Sequence, residues 1–252
     1  MKLDNKNILI TGISKGIGRK VFFDCIDSGA NVYGICRKKS DIIKLKFKYR
    51  KIFIGDVTNK KFLNKIFNYF KRKNIKLHGL VNNAGMRQRL NFEKISQKEL
   101  NSVMNINFFS VFFLIQKFFD VFDKAKPSSI VNISSIVGYR GFEGLTGYAS
   151  SKAAIDGLTK SLAIEMTKKF KKLRVNSVRP GFTKTSFYKN FKSKKKLYNW
   201  TISKTPISRW AETNEISNLI VFLLSDNSSY INGQSINIDG GWTAEWKKRL
   251  LD

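Results

Sequence analysis

The stretch NILITGISKGIGRK, residues 7–20, decides the fold. Its first part, NILITG, is a short apolar run bounded by glycine, and this pattern predicts a buried strand. The residues that follow predict a helix from Ile17 to about Ser28. Gly12, Gly16 and Gly18 lie between the two elements and allow the backbone to turn sharply there. We therefore expect the chain to begin with a β-α unit.

The same alternation continues along the chain. Short apolar runs predict further strands at 31–36, 51–56, 79–85, 129–135, 174–181 and 235–241, and helical patterns fall near 59–72, 97–122, 148–170 and 213–225. Such alternation predicts a parallel sheet with helices on both faces. A chain of 252 residues can bury one substantial core, and we find no linker or repeat that divides it. The sequence predicts an α/β fold over 1–252, a single-domain, Rossmann-type doubly wound parallel sheet.

Charge is the unusual feature of the composition. There are 47 Lys and Arg against 18 Asp and Glu, a formal net charge of +29. A basic chain can attract nucleic acid, a membrane surface or an acidic protein. The basic residues lie along the whole chain, and no zinc-finger, RNP-type or basic-zipper pattern is present. We interpret the charge as compositional drift and predict no specific nucleic-acid binding.

The apolar segments and the cysteines bear on location. The first residues, MKLDNKNILITG, contain no long apolar region, so we expect no signal peptide. The most apolar segment, 108–115, is too short to cross a bilayer, and we expect no membrane association. Cys25 and Cys36 are too few for a disulfide framework and fit a reducing compartment. We predict a cytoplasmic protein.

The glycine-rich turn also predicts a ligand. Doubly wound sheets bind ligands at the carboxyl ends of their strands. Glycine lets the backbone approach a pyrophosphate, whose charge a helix N-terminus favours. The spacing of Gly12, Gly16 and Gly18 is G-x-x-x-G-x-G. A glycine-rich turn after a strand can be only a turn, but at the first β-α junction it predicts a nucleotide site.

A second candidate site lies in GYASSKAA, residues 147–154. Tyr148 and Lys152 are four residues apart on a predicted helix, so their side chains share one face. A free phenol has a pKa near ~10, and an ammonium about 5 Å away lowers it by about two units at an effective dielectric of ~20. The pair predicts acid–base chemistry. Because the chain is rich in lysine, an ordinary surface tyrosine and lysine remain an alternative unless partners support the pair.

Those partners appear when the motifs are taken together. Seven motifs occur in the order and spacing of the short-chain dehydrogenase/reductase family. They are TGISKGIG (11–18), NNAG (82–85), Asn107 of MNINF, ISS ending at Ser135, Y-x-x-x-K (148–152), RPG (179–181) and INGQSINIDGG (231–241). The resemblance extends from about Lys6 to Gly241. The sequence is similar to 3-oxoacyl-[acyl-carrier-protein] reductases and to sugar-acid dehydrogenases of this family.

The resemblance implies four catalytic residues. Tyr148 would be the general acid/base, and Lys152 would lower its pKa and hold the ribose hydroxyls of the nicotinamide cofactor. Ser135 would hydrogen-bond the reacting oxygen, as suits a donor aimed at a developing alkoxide. Ser134 is the alternative, since strand alternation points the two side chains to opposite faces. Asn107 would anchor a water that leads from the lysine to solvent. A buried polar residue in need of partners is its alternative interpretation.

The resemblance also implies a cofactor site. It comprises Gly12, Ser14, Lys15, Gly16, Ile17 and Gly18 of the turn, Arg37, Asp56 and Val57, Asn83, Ala84 and Gly85, Tyr148 and Lys152, and Pro180, Gly181, Thr183 and Thr185. Enzymes of this fold that use NAD carry an acidic residue at the end of the second strand, whereas those that use NADP place a base nearby. Cys36 occupies the acidic position, Arg37 follows, and Lys15 is a second base. We expect NADP(H) rather than NAD(H).

The substrate is the least determined feature. Residues 186–205 would form a lid, in which Phe187 is a candidate contact, and Arg87 and Arg89 lie just past the NNAG strand. Three hypotheses remain: a 3-oxoacyl thioester reductase of the acyl-carrier-protein type, a sugar or sugar-acid dehydrogenase/reductase, and a catalytically silent nucleotide-binding protein. The first two share a small-molecule or carrier-bound carbonyl substrate.

Metal and assembly complete the expectations. No metal is implied, and His78, which has no companions of a metal-ligand type, is interpreted as structural. The phenylalanine-dense helix 108–122 and the helix of Tyr148 are expected to associate subunits as in related proteins. We expect a homotetramer, or failing that a dimer.

Overall fold

The protein is described by a computed structural model that covers residues 1–40, 51–186 and 188–244. Seven strands form one sheet: β1 Asn7–Thr11, β2 Asn31–Cys36, β3 Ile52–Ile54, β4 Gly79–Asn82, β5 Ser128–Ile133, β6 Leu173–Pro180 and β7 Ser235–Ile238. Their order is β3-β2-β1-β4-β5-β6-β7, and every pair of neighbours is parallel. The predicted parallel sheet and its seven strands are confirmed.

The helices of the described residues are α1 Gly16–Asp27, α2 Lys60–Arg72, α3 Gln97–Met104, α4 Ser110–Phe119, α5 Ile136–Tyr139, α6 Thr146–Lys169, α7 Tyr188–Lys192, α8 Lys195–Ser203 and α9 Thr213–Leu224. The sequence predicted α1, α2, α6 and α9 to within about two residues. It did not predict the short helices α5, α7 and α8 as separate elements, because their apolar patterns are too short to be periodic.

The sheet has a hydrophobic core on each face. Leu9 packs with α2, α4 and α6 on one face, whereas its neighbours Ile8 and Ile10 pack with α1 and α9 on the other. This follows from the two-residue period of a strand, which sends successive side chains to opposite faces. Both faces of β1 are covered, and its sequence is accordingly apolar throughout. The fold is the predicted doubly wound one.

The predicted helix 97–122 is interrupted. A π-helical turn, Asn105–Phe109, separates α3 from α4, and α4 ends at Phe119. By length and composition Gln97–Phe119 could cross a membrane, with a mean hydropathy of 1.3. A helix that packs in a protein core passes the same test, and Leu114 and Phe118 are buried against the sheet.

The amino edge of the sheet holds the sole histidine. His78 Nδ1 accepts a hydrogen bond from the Asn7 N–H at 3.0 Å, and Nε2 lies 3.5 Å from an Asp123 carboxylate oxygen. Burial lowers the pKa of His78, although Asp123 opposes the shift. The imidazole therefore ties strand ends together, as its structural interpretation requires.

The topology places a site at the opposite edge. From β1 the sheet continues through β2 and β3 on one side and through β4 on the other. The connections that leave β1 and β4 therefore diverge and open a crevice between them at the carboxyl edge. The glycine-rich turn follows β1, and residues 83–89 follow β4.

Candidate active site

The glycine-rich turn forms one end of the crevice. Gly12 has a φ of +73° and Gly16 a φ of +59°, a left-handed backbone that favours glycine. A Cβ on Gly12 would lie 2.8 Å from Asn83 Nδ2 and 2.9 Å from Ala84 Cα. Among the described residues, Lys15 at the N-cap position of α1 adds no side-chain cap, and the first turn holds no acidic residue. The turn therefore offers backbone N–H groups to an anion, with no Cβ in the way.

Asn83 holds this turn against β4. Its Nδ2 donates to the Thr11 carbonyl at 3.0 Å and to the Gly12 carbonyl at 3.1 Å. The hydroxyl of Thr11 in return accepts the N–H groups of Asn83 and Ala84, at 3.0 and 2.9 Å. Gly18 is buried beside this network, where a Cβ would lie 2.1 Å from Asn83 Nδ2. Sequence reasoning did not single out Thr11, although it immediately precedes the first glycine.

A cleft of about 1130 Å³ runs from this turn across the carboxyl edge. The predicted residues that line it are Gly12, Ser14, Lys15, Gly16, Ile17, Arg37, Asp56, Val57, Asn83, Ala84, Gly85, Arg87, Arg89, Ser135, Tyr148, Lys152, Pro180, Gly181, Thr183 and Thr185. Gly18 and Asn107 are not among the lining residues, and their predicted roles stay predictions. Phe187 lies outside the described residues.

The end of β2 supplies positive charge to the glycine-rich end of the cleft, defined here by residues 12–17, 36–38 and 55–57. Cys36 is buried, and Arg37 and Lys38 are exposed along the cleft. Lys15 faces the same cleft from the turn. Lys38 was missed as a site residue, although it directly follows Arg37. Asp56 is the acidic side chain on this part of the cleft. Its Oδ1 accepts hydrogen bonds from the Thr58 N–H at 2.8 Å and from the Thr58 hydroxyl at 2.7 Å.

Ser135 and Tyr148 meet above the cleft. Ser135 caps α5, where its Oγ accepts the Val137 N–H at 3.2 Å, and its side chain lies near enough to the Tyr148 phenol to lower the pKa of that group. Ser134 points the other way, and its hydroxyl donates a hydrogen bond to the Lys152 carbonyl at 3.0 Å. The two serines thus diverge as strand alternation requires, and Ser135 is the one beside the phenol.

Lys152 is buried one helical turn from Tyr148. Its Nζ donates to the Ile133 carbonyl at 2.6 Å and lies 5.9 Å from the centroid of the Tyr148 ring. A Cβ on Gly85 would lie 3.7 Å from this Nζ, so the glycine leaves room beside the ammonium. Burial lowers the pKa of Lys152 to about 8, and the charge of Asp156 opposes that shift.

The structure corrects the expected direction of the Tyr148 pKa shift. The sequence argument predicted that Lys152 lowers it, whereas burial raises it above its ordinary value. The interactions that pull the Tyr148 pKa down are the Ser135 hydrogen bond and the charge of Arg87, not that of Lys152. The sequence argument failed because it counted the charge but not the desolvation of the phenolate, which here is larger.

Asn107 lies in the π-helical turn and is fully buried. Its Oδ1 accepts the Met86 N–H at 2.8 Å, and its Nδ2 donates to the Met86 carbonyl at 2.9 Å and to Ser151 Oγ at 3.0 Å. The amide therefore fixes the segment after β4 against α6. Its predicted part in a water path stays a prediction.

Aromatic side chains form the other end of the cleft. This aromatic end is lined by Phe142, Phe182, Phe191, Leu197, Trp200 and Trp210. Phe182 and Trp210 have ring centroids 5.2 Å apart, and Trp200 packs edge-on against Trp242 at 5.3 Å. Arg87 and Arg89 also line the cleft, from the segment after β4. Phe142, Phe182 and Trp210 were missed because no sequence spacing connects them.

Known proteins match this arrangement along nearly the whole chain. A family profile described as enoyl-(acyl carrier protein) reductase matches residues 12–243. The 3-oxoacyl-[acyl-carrier-protein] reductase FabG of Buchnera aphidicola subsp. Schizaphis graminum is 33% identical over 247 residues, which cover 96% of this chain and 98% of that protein.

Two solved structures share the fold and carry different cofactors. A protein from Agrobacterium tumefaciens, described as a 2-deoxy-D-gluconate 3-dehydrogenase with bound NADP, has a TM-score of 0.84 and 27% identity, with 97% of this chain and 98% of that one covered. A 4-hydroxyisoleucine dehydrogenase complexed with NADH has a TM-score of 0.87 and 27% identity, with 96% and 100% covered. Because both nicotinamide cofactors occur on this fold, the choice between them must come from side chains.

Proposed function

The chain belongs to the short-chain dehydrogenase/reductase family and is an oxidoreductase of CH–OH and carbonyl groups; on that premise we propose that it reduces a 3-oxoacyl thioester with NADPH. The observation that carries the proposal is that Ser135, Tyr148 and the glycine-rich turn line one cleft, with the serine side chain acting on the phenol. The chain thus combines a phenol and a hydroxyl that can face a carbonyl oxygen with a cradle for a dinucleotide. The catalytically silent hypothesis is set aside, because the chain is a member of an oxidoreductase family and keeps Ser135, Tyr148 and Lys152.

The residues of the glycine-rich end fit a nicotinamide dinucleotide. Gly12 and Gly16 place no side chain at two positions of the turn, and the N-terminus of α1 favours negative charge. Lys152 and Tyr148 would hold the ribose next to the nicotinamide, and Thr183 and Thr185 would approach its carboxamide and phosphate from the segment after β6. When bound, the cofactor supplies the hydride.

The chain's own residues perform the proton chemistry. Tyr148 Oη gives its proton to the carbonyl oxygen as negative charge develops there, and Ser135 Oγ donates a hydrogen bond to the same oxygen. A raised pKa suits Tyr148 as an acid in the direction of reduction, because the phenol stays protonated at neutral pH. Arg87, whose charge favours the ionised phenol, then stabilises the phenolate that is left.

NADP(H) is supported by the charges around β2. Arg37 and Lys15 both line the cleft, with Lys38 beside them, and a guanidinium can pair with a 2′-phosphate in a forked geometry. Cys36 lies where an acidic residue would repel that phosphate.

The aromatic end supports an acyl chain. Phe182, Trp200 and Trp210 offer apolar surface that suits a flexible hydrocarbon. The strongly basic composition is suited to an acidic carrier that would present the thioester. FabG of Buchnera, named for this reaction, is similar over 96% of the chain.

A sugar or sugar-acid substrate is the second candidate. Arg87 and Arg89 line the cleft opposite the aromatic wall and could pair with a carboxylate. The solved relative described as a 2-deoxy-D-gluconate 3-dehydrogenase adds weight to this alternative.

We further propose a cytoplasmic homotetramer, with a dimer as the alternative. Phe109, Phe112 and Phe113 expose 43%, 36% and 52% of their surface on one stretch of helix, and Ile164 exposes 66% on neighbouring α6. Apolar side chains grouped in this way mark association surfaces. Cys25 and Cys36 are buried and not joined by a disulfide, which suits a reducing compartment.

The test follows NADPH absorbance with the purified protein and two substrate sets. One contains acetoacetyl thioesters of coenzyme A and of acyl carrier protein, and the other contains keto-sugar acids. We expect fast turnover of the carrier-bound thioester. Turnover of keto-sugar acids alone would establish the alternative and direct attention to Arg87 and Arg89. If NADPH binds and neither set reacts, both substrate proposals are wrong.

A further inference from the structure

An ion pair lies directly beneath Lys152. Asp156 is one helical turn along α6 and is 5% exposed. Its Oδ2 accepts the Nε–H of Arg179 at 2.8 Å, and its Oδ1 accepts the hydroxyl of Ser177 at 2.8 Å. The side chains of Arg179 and Asp156 are 12% and 7% exposed, so little solvent screens the pair. Arg179 also covers the ring of Tyr139, 4.9 Å from its centroid.

The three charges alternate in sign from Lys152 through Asp156 to Arg179. Residues four apart on a helix share a face, so Asp156 faces Lys152 from below, and Arg179 neutralises the carboxylate from β6. Tyr148 lies on the same helix, and Arg87 acts on Tyr148 from the segment after β4. The contact from β5 is the uncharged Ile133 carbonyl. Among the described residues, the charge that opposes the loss of the Lys152 proton is that of Asp156.

Arg179 affects how strongly the Asp156 carboxylate holds the proton of Lys152. A carboxylate without a counter-charge would hold the lysine proton strongly, and one neutralised by a guanidinium holds it less. Because both oxygens of Asp156 accept hydrogen bonds from residues of β6, the carboxylate is also fixed in place against that strand.

We propose that Asp156 and Arg179 are positioning residues that act through Lys152: Asp156 keeps the ammonium charged, and Arg179 limits how strongly it does so. The inference rests on the proposed role of Lys152 beside Tyr148. By this proposal, two residues outside the cleft set the pH range in which the enzyme works. A purely structural pair, which only ties α6 to β6, would change stability and leave that range unaltered.

The two positions therefore carry opposite expectations. In Asp156→Asn the ammonium loses its stabilising charge, so the alkaline fall of kcat/KM moves to lower pH by about one unit or more. In Arg179→Gln, which keeps a hydrogen-bond donor, Asp156 acts unopposed and the fall moves to higher pH. The double variant, which lacks both charges, lies between them, and Arg179→Lys restores the wild-type profile.

The measurement is a set of pH–rate profiles together with a ¹³C NMR titration of lysine side chains in the protein without substrate. The Lys152 signal is identified by its loss in Lys152→Met. Asp120→Asn, which removes an exposed carboxylate from the amino-edge side of the sheet, is the matched control and leaves both profiles unchanged. Thermal melting shows which variants are folded.

Opposite shifts of the Lys152 titration in the two single variants support the proposal. Shifts in the same direction, or none in folded variants, overturn it. The NMR readout needs no turnover, so it separates this inference from the proposed function. An active Tyr148→Phe enzyme would contradict the proposed function, whatever the titration shows. If Asp156→Asn does not fold, the Arg179→Gln titration alone decides.

Discussion

The two ends of the cleft are built in different ways. The glycine-rich end consists of backbone, held by short-range partners: four hydrogen bonds join Thr11 and Gly12 to Asn83 and Ala84. The aromatic end consists of side chains, gathered from α7, α8, the segment after β6 and the segments that join α5 to α6 and α8 to α9. Phe142 and Phe182 meet there from positions 40 residues apart in number.

This difference explains why one end can be predicted and the other cannot. A backbone cradle needs particular residue types at fixed spacing, since only glycine tolerates the close approach of Asn83. An aromatic wall can be assembled from many positions, because apolar contact has no strict geometry. The first end is suited to a constant ligand and the second to a variable one.

Tyr148 is the point where the two ends meet, and its removal has the largest expected effect. Tyr148→Phe removes the proton donor but keeps the ring, so turnover falls by about 10²–10⁴-fold while the Kd for NADPH stays within about twofold. Steady-state kinetics and fluorescence titration of NADPH measure the two quantities. Near-normal turnover in this variant would contradict the proposed mechanism.

Gly18→Ala sharpens the description of the glycine-rich end. The added Cβ would lie 2.1 Å from Asn83 Nδ2 and 2.5 Å from the Gly12 carbonyl oxygen, so the network must move. We expect a loss of about 1–3 kcal/mol in the free energy of unfolding and weaker NADPH binding.

Gly157→Ala is the matched control for that variant. Gly157 is exposed on α6, and a Cβ there would meet nothing within 4 Å. Because alanine favours a helix, this variant should be as stable as the wild type or up to about 1 kcal/mol more stable. Chemical denaturation compares the two, and an equal loss in both would show that the contact with Asn83 is unimportant.

Arg37→Asp tests whether charge at the end of β2 selects the cofactor. The guanidinium would pair with a 2′-phosphate, so its reversal should weaken NADPH by at least about tenfold and change NADH little. Titration with each cofactor measures the ratio of the two Kd values. Equal weakening of both would refute the NADP preference.

Trp200→Ala addresses the aromatic end, with the smallest expected effect. Trp200 is 43% exposed, and its loss removes one side of the apolar wall, so KM for the carbonyl substrate should rise by about two- to tenfold. The Kd for NADPH should not change. Tyr230→Ala, at a fully exposed ring, is the control. If Trp200→Ala weakens NADPH as much as it raises KM, the division of the cleft into two ends is wrong.

The sequence by itself determined the fold and the parts of the site that depend on spacing. Short apolar runs predicted the seven strands, and helical periods predicted α1, α2, α6 and α9, because burial of an element leaves its pattern in the sequence. Ser135, Tyr148 and Lys152 could be assembled from motif order, and the structure brings them together at the cleft.

Tertiary structure alone decided the electrostatics and the aromatic end. The pKa of Tyr148 is raised where the sequence argument predicted a fall, because desolvation depends on everything packed around the ring. The pair of Asp156 and Arg179 joins a helix to a strand 23 residues away in number, and no local pattern announces it. Such features depend on distances between elements, which periodicity does not encode.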